Sequence, residues 1–463
     1  MKVRAVISGG VLIALLAGGA FAFAAAPQAA PAPRTLPAPD VTLPATLAST
    51  RALFDSYVAE HKLPGIVGAF GYRDQPTIFV SAGRISDDPA AAPAGPDSLW
   101  RVYSMTKPVT AMAAMILIEE GKMSLDQPVS DFIPAFRTMR VQISPDSLET
   151  RPAARPITIR NLLTHTAGLG YSIITKGPLL GEYNRLGLNP GAISAPLEAA
   201  ARRTRPATLA AFADRVAEAP LIADPGTKWS YSIGLDVMGR VIEVASGTSF
   251  DAFVQRRIFD PLDMKSSYWT VPRSEVGRFA TNYIFQREAM QQLAGGRPID
   301  VSKIDRKARL PIDPAATSVW LSPPSFPYGG AGLVMSARDY DRFLHTLQDG
   351  GALDGKRVLK PATAALMMSN LLPPGVTYGT RPSGEPLAVK SGYGAGGSVT
   401  LEDQPGGARK GTYGWGGAAG TTGWVDPARH MRGTIMVNYF PSEQWPVREQ
   451  TVAALLADLT HHQ

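Results

Sequence analysis

The chain has 463 residues, 45% hydrophobic and 18% charged, a globular composition with room for two subdomains. Its lack of cysteine excludes disulfides, thiolate catalysis and a lipid-modified N-terminal cysteine. The formal charge of +7 falls to +5 without Lys2 and Arg4, and the basic residues are scattered, which argues against a nucleic-acid partner.

Residues 1–26 read as a signal peptide. Lys2 and Arg4 precede the apolar run Ala5 to Ala17, and small-x-small sites follow at Ala20-Phe21-Ala22 and Ala24-Ala25-Ala26. The apolar run is short for a membrane span. The expectation is export to a bacterial periplasm or the exterior, with no stable membrane anchor after cleavage. Residues 27–43 are rich in proline and alanine and read as an extended linker.

From Leu47 to Lys62 apolar residues recur at helical spacing. Gly65 to Tyr72 and Pro76 to Gly83, with Arg73-Asp74-Gln75 between them, form a hairpin pattern. Then comes Arg101-Val102-Tyr103-Ser104-Met105-Thr106-Lys107-Pro108, opening an apolar helical run from Val109 to Glu120 that Gly121 stops. Ser104 and Lys107, three apart at a helix start, share one face, so the amine can reach the hydroxyl. The helix N-terminus adds free N–H groups and partial positive charge, a place to hold an oxyanion. Pro108 fits, since proline is tolerated in a first turn. This Ser-x-x-Lys occurs once in the chain. By itself it equally describes a serine cap beside a solvated lysine.

Thr158 to Leu163 reads as a capped helix start, ending at Gly168. Within it His165 reads as a hydrogen-bonded turn histidine. Residues 170–206 lack strong periodicity and are expected to be a loop-rich lid or insertion. A helix follows from Thr208 to Ala217. Asp224-Pro225-Gly226-Thr227-Lys228-Trp229-Ser230-Tyr231-Ser232 is a rigid turn feeding a helix from Leu235 to Val244, which puts Tyr231 at a loop–helix junction. Tyr171-Ser172-Ile173 repeats the Tyr-Ser-Ile pattern without the turn or the helix and ranks below it. Residues 286–326 read as a long surface excursion. Ser336 caps a helix through Leu347, strands are expected over Leu387 to Tyr393, Thr421 to Val425 and Gly433 to Tyr439, and a closing helix spans about Gln444 to Leu459.

Strands thus crowd the two ends of the chain and helices its middle. A sheet assembled from both ends, with a mainly helical domain inserted, follows. The expected division is a sheet subdomain over about 44–100 and 327–463 and a helical one over about 104–326, with a cleft between them as the place for a site. The six histidines stand at no metal-ligand spacing, so no metal and no cofactor is expected. Gly-x-Ser-x-Gly, P-loop and dinucleotide patterns are missing too.

Five stretches, in this order, resemble the penicillin-recognising serine hydrolases, in particular the class C β-lactamase-like group and its family VIII carboxylesterase branch. They are Tyr103 to Thr110, Leu162 to Leu169, Pro225 to Ser232, Gly329 to Leu333, and Tyr413 to Thr421. The resemblance implies a β-lactamase/transpeptidase-like α+β fold, an antiparallel sheet flanked by helices, over 44–463. It also implies three catalytic elements, Ser-x-x-Lys, Tyr-x-Asn and Lys-Thr-Gly. Ser104 carries over as nucleophile, Lys107 as its base partner and Tyr231 as proton shuttle. Ile233 stands where the asparagine would be. Trp415-Gly416-Gly417 takes the third slot, with Lys390-Ser391-Gly392 as a rival for it.

On this reading the backbone N–H groups of Ser104 and Ala418 form the oxyanion hole, and Trp415, Gly416, Gly417 and Tyr103 contact the substrate. Loss of the third-motif lysine removes a partner for a substrate carboxylate, and tryptophan offers an apolar face instead. The expected partner is therefore a small-molecule ester. A β-lactamase or DD-peptidase, and a non-catalytic binding protein on the same scaffold, are the alternatives. The oligomeric state stays open.

Overall fold

In this computed structural model the described residues are 46–293, 300, 302, 304–380, 386–404 and 407–460. The stretches read above as leader and linker, 1–43, lie outside them. The hairpin forms as its pattern predicts, Gly65–Tyr72 (β1) pairing antiparallel with Ile78–Gly83 (β2). On its other edge β1 pairs with a strand from the far end of the chain. Tyr378–Thr380 (β3), Pro386–Tyr393 (β4), Ser398–Thr400 (β5), Tyr413–Gly416 (β6), Thr422–Asp426 (β7) and Met431–Met436 (β8) complete an eight-stranded sheet, in the order β3-β4-β5-β6-β7-β8-β1-β2. Every pairing in it is antiparallel.

Side chains of a strand alternate between faces, and β1 is buried on both. Ile66 and Phe70 join Phe54 of Ala48–Ala59 (α1) and Leu455 of the closing helix Val447–Thr460, while Val67 and Ala69 join Tyr340 and Phe343 of Ala337–Gln348. The two chain ends are also tied by charge. Helix α1 has no side-chain cap of its own, and the Asp458 carboxylate supplies one. It accepts the N–H of Ser49 at 2.6 Å and that of Thr50 at 3.0 Å. An acid at a helix N-terminus meets both free donors and partial positive charge there.

The middle of the chain is helical. Thr106–Glu119 (α2) is buried from Thr106 through Leu117, so its apolar residues run all the way round rather than along a stripe. Ile159–Leu163 (α3) begins on a capping box, Thr158 Oγ1 accepting from Asn161 N–H and Asn161 Oδ1 from Thr158 N–H. It stops at Leu163 rather than Gly168, because His165 has left-handed backbone (φ 56). Residues 170–206 are less loop-like than expected, with helices Gly177–Leu186 (α4) and Ala195–Ala201 (α5). Each carries proline in its first turn, and α4 ends on left-handed Gly187. Leu209–Glu218 (α6) is capped by Thr208, and Gly234–Ser246 (α7) ends on left-handed Gly247.

The stretch 286–326 is likewise not just a surface excursion. Arg309–Asp313 pairs with Asn282–Phe285 and delivers Asp313 to a buried ion pair with Arg101. Ser336 caps the helix after it, accepting from Asp339 N–H at 3.1 Å. Among the described residues no helix is long and apolar enough to cross a membrane.

Candidate active site

The strand Leu99–Arg101 leads into a tight turn, Tyr103–Met105, that runs straight into α2. Arg101 is fully buried and fixes the entry, its guanidinium held by Asp313, Ser318 and Asn438. Tyr103 has left-handed backbone (φ 42), a conformation costly for a residue with a side chain and held here by its surroundings. Its ring packs edge-on against Trp320 and Phe440, both 5.5 Å away, and its hydroxyl accepts from Asn282 Nδ2. Tyr103 is buried, with its side chain turned into this packing. These contacts hold the turn.

One residue on, Ser104 Oγ lies 2.6 Å from the Tyr231 hydroxyl and 3.1 Å from Lys107 Nζ. Lys107 is completely buried. Its amine also donates to the Gly330 carbonyl at 2.7 Å and sits 4.6 Å above the Tyr231 ring. The helical offset of three brings hydroxyl and amine together, as the spacing predicts.

Tyr231 comes from the turn before α7. That turn is held by α3 and the loop after it: Gly226 N–H donates to Thr166 O at 2.7 Å and Ser230 N–H to His165 O at 2.9 Å. Asp224 pairs with Arg151 at its outer edge. His165 is hydrogen-bonded in a turn, as read from sequence. Its Nδ1 accepts Ser232 N–H at 3.1 Å and lies 2.9 Å from Ser232 Oγ. The imidazole also backs the Tyr231 ring, 4.8 Å between centroids. Burial, and then the charge of Lys107, push its pKa well below the ordinary 6.5, so it is neutral.

Two further side chains belong to this wall, one ranked low from sequence and one not singled out. Tyr171, from the lower-ranked Tyr-Ser-Ile, places its ring 5.4 Å from that of Tyr231 and 5.6 Å from Lys107 Nζ. Asp236, in the first turn of α7, is fully buried and accepts the N–H of Gly330 at 2.9 Å. Burial raises its carboxyl to about 7, against the pull of Lys107. The one available signal was its spacing. Asp236 follows Tyr231 by five residues, in a helical stretch otherwise apolar up to Gly239.

The opposite wall is the end of β6. The Trp415 ring lies 5.8 Å from Tyr231, 5.2 Å from Tyr393 and 6.2 Å from Tyr378, and Trp229 packs on Tyr378 at 4.5 Å. Beyond it Gly417 N–H donates to Thr421 O, and a Cβ on Gly417 would stand 2.3 Å from the Val102 carbonyl. Only glycine lets this loop press against the nucleophile's turn. Ala418 follows, exposed, its N–H without a protein acceptor among the described residues. The rival Lys390 lies exposed on β4, two strands from β6. Ser104, Lys107, Tyr231 and Trp415 therefore meet in one place, with Gly416 and Gly417 at its rim. Among the described residues no group of three or more acids or histidines is placed to hold a metal.

The model of the family described as Beta-lactamase matches residues 50–457. The chain is 31% identical over 388 residues to Protein Rv1367c of Mycobacterium tuberculosis, covering 81% of this chain and 82% of that one. It is 29% identical over 394 residues to Esterase EstB of Burkholderia gladioli, covering 84% and 89%. Among solved structures it is similar to EstCE1, a hydrolase with promiscuous acyltransferase activity. The TM-score is 0.68 at 26% identity, over 89% of this chain and 98% of that one.

Proposed function

This chain belongs to the Beta-lactamase family, and from that premise we propose that it is an exported serine carboxylesterase acting on small uncharged esters. The observation that carries the reading is the meeting of three groups: the Tyr231 hydroxyl and the Lys107 amine both stand within 3.1 Å of Ser104 Oγ. A lone serine hydroxyl is a weak nucleophile and needs a base within hydrogen-bond reach. The esterase and hydrolase named among its relatives support the same class of chemistry.

The step is acyl transfer. Ser104 Oγ attacks the ester carbonyl while its proton passes to Lys107, which must be neutral to receive it. The carbonyl oxygen becomes an oxyanion facing the backbone N–H groups of Ser104 and Ala418. Collapse expels the alcohol, which takes its proton through the Tyr231 hydroxyl, and leaves an acyl-serine. Water then attacks, gives its proton back along the same relay, and the acid departs. Trp415 and Ile233, in the slots where the resemblance puts a lysine and an asparagine, offer no cation and no amide to a substrate carboxylate from those two positions. A neutral ester fits better there than an anionic lactam.

Purified protein is expected to hydrolyse short-chain nitrophenyl esters, with Ser104→Ala at background. A fluorophosphonate should phosphonylate the wild type with loss of fluoride, adding the mass of the phosphonyl group, and leave the variant unchanged. Equal rates for the two proteins would sink the reading, and faster turnover of nitrocefin or release of D-alanine would select the lactamase or peptidase alternative. The acyltransferase activity named for EstCE1 favours one variation, in which an added alcohol replaces water and yields an exchanged ester. Export rests on residues 1–26. N-terminal sequencing of protein recovered outside the cytoplasm should start after Ala22 or Ala26, and an intact Met1 on cytoplasmic protein would overturn it.

A further inference from the structure

We propose that Asp236 is a positioning residue for Lys107, acting through the Gly330 peptide and through its own charge. The proposal rests on the reading of Ser104 and Lys107 above. Gly330 is held from both sides: its carbonyl accepts the Lys107 amine at 2.7 Å and its N–H donates to Asp236 Oδ1 at 2.9 Å. The second carboxyl oxygen, Oδ2, is buried with no hydrogen-bond partner. A Cβ on Gly330 would come within 2.6 Å of that oxygen, so the peptide lies flat against the carboxyl and admits no side chain. Thr110 Oγ1 donates to the neighbouring Gly329 carbonyl at 2.7 Å, completing a clamp between α2 and α7.

An acid in the first turn of a helix commonly serves the helix dipole from the surface. Asp236 has no surface, and an uncompensated buried carboxylate is costly. The titratable groups that act on it or stand around it are few. Lys107 comes from α2, Tyr171 from the segment after α3, and Arg205, itself paired with Glu198, from ahead of α6. His165 and Tyr171 both pack on the Tyr231 ring. Among the described residues Lys107 has no carboxylate at ion-pair distance. Asp236 is therefore the acid whose state the Lys107 amine feels. As carboxylate it holds the proton on the amine, and as neutral acid it lets the amine act as base. Coupling of this kind is reciprocal, so it is readable from either group.

The test follows the Asp236 carboxyl carbon by NMR against pH in the wild type and in Lys107→Met. The wild-type midpoint is expected near 7 and should move upward by about one unit or more once the cation is gone. Asp236→Asn keeps an acceptor for Gly330 N–H and removes the charge. The acidic limb of its Ser104 phosphonylation rate should move to lower pH, while Asp236→Ala, losing the anchor too, should react about tenfold or more slowly. An Asp236 midpoint unmoved by Lys107→Met overturns the proposal, whether or not the protein cleaves esters. Superimposable pH profiles for wild type and Asp236→Asn do the same. Failure of the wild type to be phosphonylated at all would instead remove the serine-hydrolase reading, and the carboxyl titration would still decide on Asp236.

Discussion

The two walls of the candidate site are built on different physics. On the helix side Ser104, Lys107, Tyr231, Asp236 and the Gly330 peptide form a chain of short polar contacts buried beside α2 and α7. On the strand side Trp415, Tyr393, Tyr378 and Trp229 touch one another through ring faces and edges. The first wall places protons to within a few tenths of an ångström, and removing one atom breaks it. The second offers shape and apolar area, which several side chains share. Changes on the helix side, and in the backbone turn after β6 that carries the Ala418 N–H, should therefore appear in kcat, and changes to the aromatic side chains of the strand side in KM and in the choice of substrate.

The largest effect expected within that contrast comes from Tyr231→Phe. Phenylalanine keeps the ring against His165 and Trp415 and removes the hydroxyl 2.6 Å from Ser104. Loss of a general acid–base group costs roughly 10²–10⁴ in rate, here in kcat with KM little changed. A loss of only a few-fold in steady-state ester hydrolysis would mean that protons do not pass through the phenol. Gly417→Val comes next. Its Cβ would press on the Val102 carbonyl, a backbone atom that cannot swing aside, and push the Ala418 N–H out of line. One lost oxyanion donor corresponds to about 10²–10³ in kcat. A smaller effect, of opposite character, is expected from Trp415→Lys. The ratio of nitrocefin turnover to nitrophenyl ester turnover should rise about tenfold, as a cation gains a substrate carboxylate. An unchanged ratio would show that the strand wall does not set the preference for charge.

How much of this could be read beforehand differs between the walls for the same physical reason. The pairing of Ser104 with Lys107 is local, fixed by helical spacing, and the capping box at Thr158 and the cap at Ser336 are local as well. The family likeness brought Tyr231 and Trp415 to them. The long-range partners left no such mark. That α1 is capped by Asp458, or that Arg101 finds Asp313, depends on how distant segments pack, and a pattern of apolar residues does not carry that information. The packing of Tyr103 was not legible either, since a left-handed turn sends its ring toward Trp320 and Phe440, far along the chain. Helices α4 and α5 were missed because they are short and their proline starts resemble loop punctuation. Asp236 stood in plain view as an acid in an apolar helical stretch, yet only its burial beside Gly330 gives that oddity a meaning.

His165 stands between the walls, 4.8 Å from the Tyr231 ring and 5.4 Å from that of Tyr393, and yields the smallest effect with the clearest sign. Buried and beside the charge of Lys107, its imidazole resists protonation in the folded chain, while the unfolded chain takes up a proton below pH 6.5. Below that pH the unfolded state binds more protons, so the stability tied to His165 is present above 6.5 and is lost as pH falls. Between pH 7.5 and 5.5 this contribution therefore falls. Asp236 works the other way, since a carboxyl raised to about 7 favours the folded state least at high pH. The comparison that isolates the imidazole is therefore with His165→Asn, whose side-chain oxygen can still accept the Ser232 N–H. Urea unfolding midpoints at the two pH values should fall further for the wild type than for the variant. Equal falls would show that the folded imidazole takes its proton as readily as the unfolded one, and the neutral backing it gives to Tyr231 would be lost.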